Sequence, residues 1–232
     1  MASEALILHQ PIEGAAQQLV LLFHGLGADE HDLRPVGERL AAEWPQALVV
    51  SVRAPHPSDF GFGYQWFSAA GVDDAVRVGR VAEAMPAFVA AIRGWQRESG
   101  LGPEATLLVG FSQGAIMALE AVTDAGDATL AGRVVALSGR YARLPPTPPA
   151  RTTLFFVHGK ADEVIQYGYT VEAARHLVDL GADVVADVIP FVGHTIDDEV
   201  LDLVVERLRT HIPRRHWEDA LRDVPPPGGG TQ

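Results

Sequence analysis

The 232-residue sequence contains no cysteine, which excludes disulfide bonds, thiolate zinc sites and a cysteine nucleophile. Basic residues are also scarce: 18 lysines and arginines stand against 30 acidic residues, for a formal net charge of −12. A chain this acidic is a poor candidate for binding nucleic acid or anionic membrane surfaces. No apolar run approaches the roughly 18 residues of a membrane helix, and the first residues lack the features of a signal peptide. We therefore expect a cytoplasmic protein without integral membrane association.

Apolar residues make up 47% of the sequence, an ordinary share for a globular protein. Continuous apolar runs, typical of strands covered on both faces, alternate with segments of helical periodicity. The predicted strands are residues 19–23, 47–52, 106–111, 133–137, 154–157 and 184–189. This alternation predicts an α/β fold with a mainly parallel central sheet and helices on both faces.

We predict one domain over residues 1–212 and a C-terminal extension over residues 213–232, disordered at its proline- and glycine-rich end. The clearest predicted helix repeats apolar residues every three or four positions from Val78 to Trp95. Pro86 lies inside this helix and is expected to kink it.

The strongest chemical signal is Gly-Phe-Ser-Gln-Gly at residues 110–114, which follows a predicted strand and precedes a helix-forming stretch. In that context the serine of a Gly-x-Ser-x-Gly motif lies on a strained turn with its hydroxyl pushed outward. The N-terminus of the helix favours developing negative charge. Ser112 is therefore the predicted nucleophile. Ser138 also follows a predicted strand directly, but it lacks the preceding glycine and a following helix.

A serine hydroxyl needs a neighbouring imidazole to accept its proton. His194 follows the predicted strand 184–189 and precedes a predicted helix, so its loop can reach the nucleophile. His24 and His158 also lie at the carboxyl edge of the sheet, each at the end of a strand and before a glycine. We predict that His194 is the general base.

The imidazole in turn needs a carboxylate that fixes its tautomer and stabilises its cation. Asp162 lies just after the predicted strand 154–157, again at the carboxyl edge, and is the predicted acid. The order serine, aspartate, histidine is the chain order of α/β-hydrolases. The competing carboxylates are Glu163, Asp197 and Asp198. The first is expected to point elsewhere, and the other two are expected to begin the next helix, where acids suit the dipole.

Acyl transfer also needs donors for the oxyanion that forms on the carbonyl oxygen. The backbone N–H after the nucleophile belongs to Gln113. His-Gly-Leu-Gly at residues 24–27 follows the first predicted strand, and its two glycines allow close backbone approach. We assign the second donor to Leu26. The alternative is a glycine-rich turn that only reverses the chain; a phosphate-binding Gly-x-Gly-x-x-Gly pattern fails at Glu30.

Five motifs occur in the order and spacing of the phospholipase/carboxylesterase family: residues 24–27, 65–67, 110–114, 158–162 and 193–194. The sequence resembles this family, which includes acyl-protein thioesterases and small bacterial carboxylesterases, from about residue 19 to residue 208. The resemblance implies an α/β-hydrolase fold without a cap domain, and esterase or thioesterase chemistry without a cofactor. It also implies Ser112, Asp162 and His194 as the triad, with oxyanion donors at Leu26 and Gln113.

We expect a serine carboxylesterase that cleaves esters of short to medium acyl chains through an acyl-enzyme. The expected partner is a small-molecule ester or thioester, and a homodimer is left open. The alternatives are an acyl-protein thioesterase or lysophospholipase and, outside the class, an inactive hydrolase-fold protein that only binds a ligand. Ala28 and Ser68 stand where members of the family often have aspartate. These two differences leave the identity of the substrate open, and they do not affect the expected mechanism.

Five aromatic residues lie within eight positions: Phe60, Phe62, Tyr64, Trp66 and Phe67. Aromatic clusters of this size usually cover something. We predict that Trp66 and Phe67 reach the edge of the active site and line the pocket that binds the acyl group. The alternative is a small satellite core beneath a long loop.

Overall fold

Seven strands form the central sheet of the computed structural model, which describes residues 4–71, 73–126 and 128–223. The strands, including a separate short pair, are β1 (Ala5–His9), β2 (Gln18–Phe23), β3 (Ala47–Val52), β4 (His56–Pro57), β5 (Tyr64–Gln65), β6 (Thr106–Phe111), β7 (Arg133–Leu137), β8 (Thr153–Gly159) and β9 (Asp183–Ile189). The helices are α1 (Arg34–Glu43), α2 (Asp74–Ser99), α3 (Gln113–Asp124), α4 (Gly168–Asp179), α5 (Asp198–Thr210) and α6 (Arg214–Asp223).

The strand order of the central sheet is β1-β3-β2-β6-β7-β8-β9. Strand β1 runs antiparallel to β3, and the other neighbouring pairs are parallel. All six predicted strands are present, and β1, β4 and β5 were not predicted. The predicted α/β-hydrolase fold with a mainly parallel sheet is confirmed, and no separate cap domain interrupts the part of the chain that the structure describes.

Two hydrophobic cores lie on opposite faces of the sheet, which explains the continuous apolar runs. In β2, Leu19, Leu21 and Phe23 face one core, whereas Val20 and Leu22 face the other. Helices α2, α3 and α4 cover the first face, and α1 and α5 cover the second. Because both faces of each central strand are buried, apolar residues stand at consecutive positions of these strands rather than at every second one.

Helix α2 begins at an aspartate cap and continues past Pro86 as one element. The Asp73 carboxylate accepts the Val76 N–H at 2.8 Å, and Gly100 ends the helix in the left-handed region, with a φ of 72°. Among the described residues no helix is long and apolar enough to cross a membrane.

Helix α6 lies within the predicted C-terminal extension, and it is bound to the domain by buried polar contacts. The guanidinium of Arg215 is buried and donates to the Gly132 carbonyl at 2.9 Å. The proline- and glycine-rich end that was predicted to be disordered lies outside the described residues. The division of the chain at residue 212 stays a prediction.

Candidate active site

Ser112 lies on a sharp turn between the end of β6 and the start of α3. Its backbone has a φ of 52° and a ψ of −114°, which is strained for a residue with a side chain. The Ser112 N–H donates to the Leu137 carbonyl at 2.9 Å, and the Ser112 carbonyl accepts the Ala115 N–H at 3.0 Å. Backbone hydrogen bonds to β7 and α3 therefore hold the strained turn in place.

The two glycines of the Gly-x-Ser-x-Gly motif are required by close packing of backbone against backbone. A Cβ atom added to Gly114 would lie 2.1 Å from the Phe23 carbonyl oxygen, and one added to Gly110 would lie 2.5 Å from the Ala115 nitrogen. Neither neighbour can move aside as a flexible side chain could. The motif therefore brings the serine turn into direct contact with the end of β2.

The structure brings Ser112, His194 and Asp162 together in one chain of hydrogen bonds. His194 Nε2 lies 3.0 Å from Ser112 Oγ, and His194 Nδ1 lies 2.7 Å from Asp162 Oδ2. An ionised carboxylate only accepts hydrogen bonds, so Nδ1 carries the proton and Nε2 is free to accept the hydroxyl proton. This is the arrangement in which a histidine can act as a general base toward serine.

The Asp162 carboxylate is buried and held by several donors. Its Oδ1 atom accepts the N–H groups of Val164 and Ile165, both at 2.9 Å. Burial raises the pKa of Asp162, but the hydrogen bonds from His194, Ile165 and Val164 together lower it below its ordinary value. The carboxylate is therefore negatively charged at neutral pH and can stabilise an imidazolium.

The competing residues lie elsewhere. Glu163 is exposed, and Asp197 caps α5 by accepting the Val200 N–H at 3.0 Å, as expected. Ser138 directly follows β7, its N–H donates to the Val157 carbonyl, and the next element of the chain is β8 rather than a helix. Within the described ranges, no group of three or more histidine and acidic side chains could hold a metal ion.

The loop over residues 24–27 packs directly against the nucleophile. A Cβ atom added to Gly25 would lie 3.4 Å from the Cβ atom of Ser112. The Gly27 N–H donates to the Tyr64 carbonyl, whereas no described residue accepts the N–H of Leu26 or of Gln113. These two backbone donors thus have no partner among the described residues, as an oxyanion site requires.

His24 is a buried structural histidine that fixes the start of this loop. Its Nε2 atom accepts the Ala54 N–H at 3.0 Å, so its Nδ1 carries the proton and donates to the Gly25 carbonyl at 2.7 Å. Burial lowers the pKa of His24, and the Gly25 carbonyl and Asp32, which raise it, do not compensate. The imidazole is therefore neutral at neutral pH.

The side chain of Gln113 has a role that sequence reasoning missed. Its Oε1 atom accepts the Trp66 N–H at 2.7 Å, and its Nε2 donates to the Phe67 carbonyl at 2.8 Å. The Trp66 indole N–H in turn donates to the His24 carbonyl at 2.8 Å. Gln113, the residue after the nucleophile, thus connects the serine turn to Trp66 and Phe67, and through Trp66 to the loop at residues 24–27.

Trp66 and Phe67 belong to the hydrophobic core on the α2 side of the sheet. Trp66 is only 3% exposed, and its ring packs edge-on against Phe23 and Phe88. Both residues also line a groove of about 420 Å³ beside α2, but Ser112 and His194 lie outside its lining. The burial favours the core interpretation that was left open above, and a contact with the acyl group stays a prediction.

Two comparisons decide the family. The model of the phospholipase/carboxylesterase family matches residues 9–212. The chain is also 43% identical over 206 residues to the esterase YpfH of Escherichia coli, covering 89% of this chain and 88% of the relative. The chain belongs to the phospholipase/carboxylesterase family. As a member of this family it is a carboxylic ester hydrolase.

Solved structures of two esterases have the same fold as this chain. The esterase PE8 superposes with a TM-score of 0.80 at 30% identity, over 91% of this chain and 99% of that one. A carboxylesterase from Mesorhizobium loti gives a TM-score of 0.71 at 23% identity, over 84% of this chain and 90% of that one, and supports the fold alone.

Proposed function

We propose that the enzyme hydrolyses carboxylic esters of short to medium acyl chains through an acyl-enzyme on Ser112. The observation that carries the proposal is the continuous hydrogen-bonded chain from Ser112 Oγ through His194 to Asp162 Oδ2, with distances of 3.0 and 2.7 Å. Ser112 lies on a strained turn, and the backbone N–H groups of Leu26 and Gln113 have no partner among the described residues. These features together are what nucleophilic acyl transfer requires.

In the first half of the reaction, Ser112 Oγ attacks the ester carbonyl carbon while His194 Nε2 accepts the hydroxyl proton. The carbonyl oxygen becomes an oxyanion, which the N–H groups of Leu26 and Gln113 stabilise. The buried Asp162 carboxylate stabilises the imidazolium. The bond to the alcohol oxygen then breaks, His194 returns its proton to the departing alcohol, and the acyl group remains on Ser112.

In the second half, water replaces the alcohol. His194 Nε2 takes a proton from the water as its oxygen attacks the acyl-enzyme carbonyl, and the same two N–H groups hold the second oxyanion. Collapse of this intermediate releases the carboxylic acid and returns the proton to Ser112 Oγ. The residues of this chain thus supply every proton transfer in the cycle.

A thioester substrate is the second candidate, and one comparison favours it. The chain is 31% identical over 125 residues to acyl-protein thioesterase 1 of Neurospora crassa, covering half of each protein. The esterase YpfH matches over 88% of its length at higher identity, and we therefore rank the ester first. A lysophospholipid substrate belongs to the same alternative.

Initial rates on a graded series of substrates test the proposal. Nitrophenyl esters and acyl thioesters of matched chain length are compared, with Ser112→Ala as the control for background hydrolysis. We expect kcat/KM to be greatest for esters of short or medium length. A consistent preference for thioesters at matched length would favour the second candidate. Absence of any Ser112-dependent hydrolysis would indicate a ligand-binding protein.

The cytoplasmic location stays a prediction, and the homodimer stays an open alternative to a monomer. Fractionation of cells that express the tagged protein tests the first, and sedimentation velocity tests the second. Recovery in the periplasmic or membrane fraction would contradict the location, and a single monomeric species would contradict the dimer.

A further inference from the structure

A second histidine contacts the same carboxylate oxygen as His194. His158 lies in β8, and its side chain is fully buried. Its Nε2 atom lies 3.2 Å from Asp162 Oδ2, the oxygen that accepts the His194 Nδ1–H at 2.7 Å. The catalytic scheme above does not use His158.

The partners of His158 determine its tautomer. Nε2 lies 2.7 Å from the Ile165 carbonyl oxygen, which can only accept a hydrogen bond, so Nε2 must carry a proton. Nδ1 lies 2.8 Å from Thr170 Oγ1, whose hydroxyl can donate to it. Burial lowers the pKa of His158, and the Ile165 carbonyl and Asp162, which raise it, do not compensate. The ring is therefore neutral, with its proton donated to the Ile165 carbonyl and close to Asp162 Oδ2.

Oδ1 of the Asp162 carboxylate accepts the Val164 and Ile165 amides, and Oδ2 accepts the His194 Nδ1–H. The Nε2–H of His158, whose acceptor is the Ile165 carbonyl, lies beside Oδ2, with 3.2 Å between Nε2 and Oδ2. The two histidines present opposite tautomers to Oδ2. A charged oxygen attracts an N–H dipole at this distance, so both histidines influence where the carboxylate lies and how its charge is distributed.

We propose that His158 is a positioning residue for hydrolysis, an inference that rests on the proposed function. It acts through Asp162: its Nε2–H restrains Oδ2 in line with His194 Nδ1 and shares the negative charge of that oxygen. The competing explanation is purely structural, in which His158 only holds the turn over residues 162–165 through the Ile165 carbonyl. The two explanations differ in whether the bond between His194 and Asp162 changes when His158 is replaced.

The test compares His158→Phe with His158→Gln, which retains an N–H donor and an acceptor. Thr170→Val removes the hydroxyl that holds Nδ1 as an acceptor, in a residue that has no side-chain hydrogen bond to Asp162. His176→Phe is the matched control, since His176 bonds only the Pro145 carbonyl among the described residues. The readouts are kcat and KM, the midpoint of the acid limb of kcat/KM, and the low-field proton resonance of the His194 Nδ1–H in the resting enzyme.

We expect His158→Phe to lower kcat about tenfold with KM changed less than twofold, because the N–H group beside the charged Oδ2 atom is lost. The Oδ2 atom becomes a stronger acceptor for His194, so the resonance should move downfield and the acid limb should move to higher pH. His158→Gln should restore most of both signals, Thr170→Val should shift them in the same direction by less, and His176→Phe should leave them unchanged.

An unchanged resonance and acid limb in folded His158→Phe would overturn the proposal, even if kcat falls. If that variant does not fold, unchanged signals in Thr170→Val would overturn it. The resonance is read in the resting enzyme and does not depend on turnover. Full activity in Ser112→Ala would instead disprove the proposed function and leave the resonance result standing on its own.

Discussion

The side chain of Gln113 holds the backbone of Trp66, with Gln113 Oε1 accepting the Trp66 N–H at 2.7 Å. Trp66 in turn bonds the His24 carbonyl through its indole N–H. Trp66 therefore connects the two parts of the backbone that supply the proposed oxyanion donors, the turn at Gln113 and the loop that contains Leu26. A substitution that displaces Trp66 should mainly lower the free energy of unfolding. It should lower catalysis only indirectly, by moving the loop at residues 24–27.

Trp66→Ala should destabilise the protein by about 3–5 kcal/mol, because a large aromatic side chain is lost from a packed core. Phe62→Ala is the control: Phe62 is 70% exposed, and surface substitutions usually change stability by less than about 0.5 kcal/mol. Urea unfolding at 25 °C measures both. If Trp66→Ala lowered the free energy of unfolding only slightly and changed the dependence of kcat/KM on acyl length, Trp66 would instead line the acyl-binding pocket.

Gly114→Ala should destabilise the protein by roughly 3 kcal/mol, since the new Cβ would meet the rigid Phe23 carbonyl at 2.1 Å. The matched control is Gly79→Ala, an exposed position in α2 with nothing within 4 Å of an added Cβ. That substitution should stabilise the protein by about 0.5–1 kcal/mol, because alanine favours the helix. Equal effects in the two unfolding curves would contradict the close packing of the serine turn.

The central strands could be predicted from the sequence because burial on both faces leaves a continuous apolar run. Strand β1 was missed because it lies at the sheet edge, where a short apolar run does not distinguish a strand from other buried segments. Strands β4 and β5 have only two residues each, which is too short for an alternation of apolar and polar residues to be recognised. Helix α6, which follows α5, was not predicted.

The three residues of the hydrogen-bonded chain could be chosen from the sequence because each follows a strand at the carboxyl edge. Parallel strands place such loops together, so spacing along the chain suffices to find them. The role of the Gln113 side chain could not be found in this way, since it depends on a contact 47 residues away. The same holds for His158, whose tautomer depends on Ile165 and Thr170.

Asp162→Asn should lower kcat by roughly 10²–10⁴, because the amide cannot stabilise the imidazolium and favours the wrong tautomer of His194. Asp197→Asn makes the same chemical change at the cap of α5, where asparagine caps about as well as aspartate. Its kcat on the same ester should stay close to that of the parent enzyme. The opposite ranking of the two variants would assign the acid to Asp197.

Stability should fall as the pH drops below about 6.5, the ordinary pKa of histidine. Burial lowers the pKa of both His24 and His158 in the folded protein, so the unfolded chain binds more protons in the interval below that value. The free energy of unfolding should therefore be greatest above this pH and decrease by at most about 1.4 kcal/mol per pH unit for each histidine.

Urea unfolding at intervals from pH 8 to pH 5 checks this dependence. His24→Gln removes one titrating group and should weaken the slope, whereas His31→Gln, at an exposed side chain, should leave it unchanged. A free energy of unfolding that rises on acidification would show that neither buried histidine is neutral in the folded protein.

Covalent labelling tests the central claim, that Ser112 is the nucleophile, most directly. The enzyme is incubated with a serine-reactive fluorophosphonate and mapped by peptide mass spectrometry, beside Ser112→Ala. We predict one adduct per chain, on Ser112, and none on the alanine variant, whose ester turnover should fall by about 10⁴–10⁶ at an unchanged melting temperature. An adduct that persists on Ser112→Ala, or turnover in that variant within tenfold of the parent enzyme, would contradict the account.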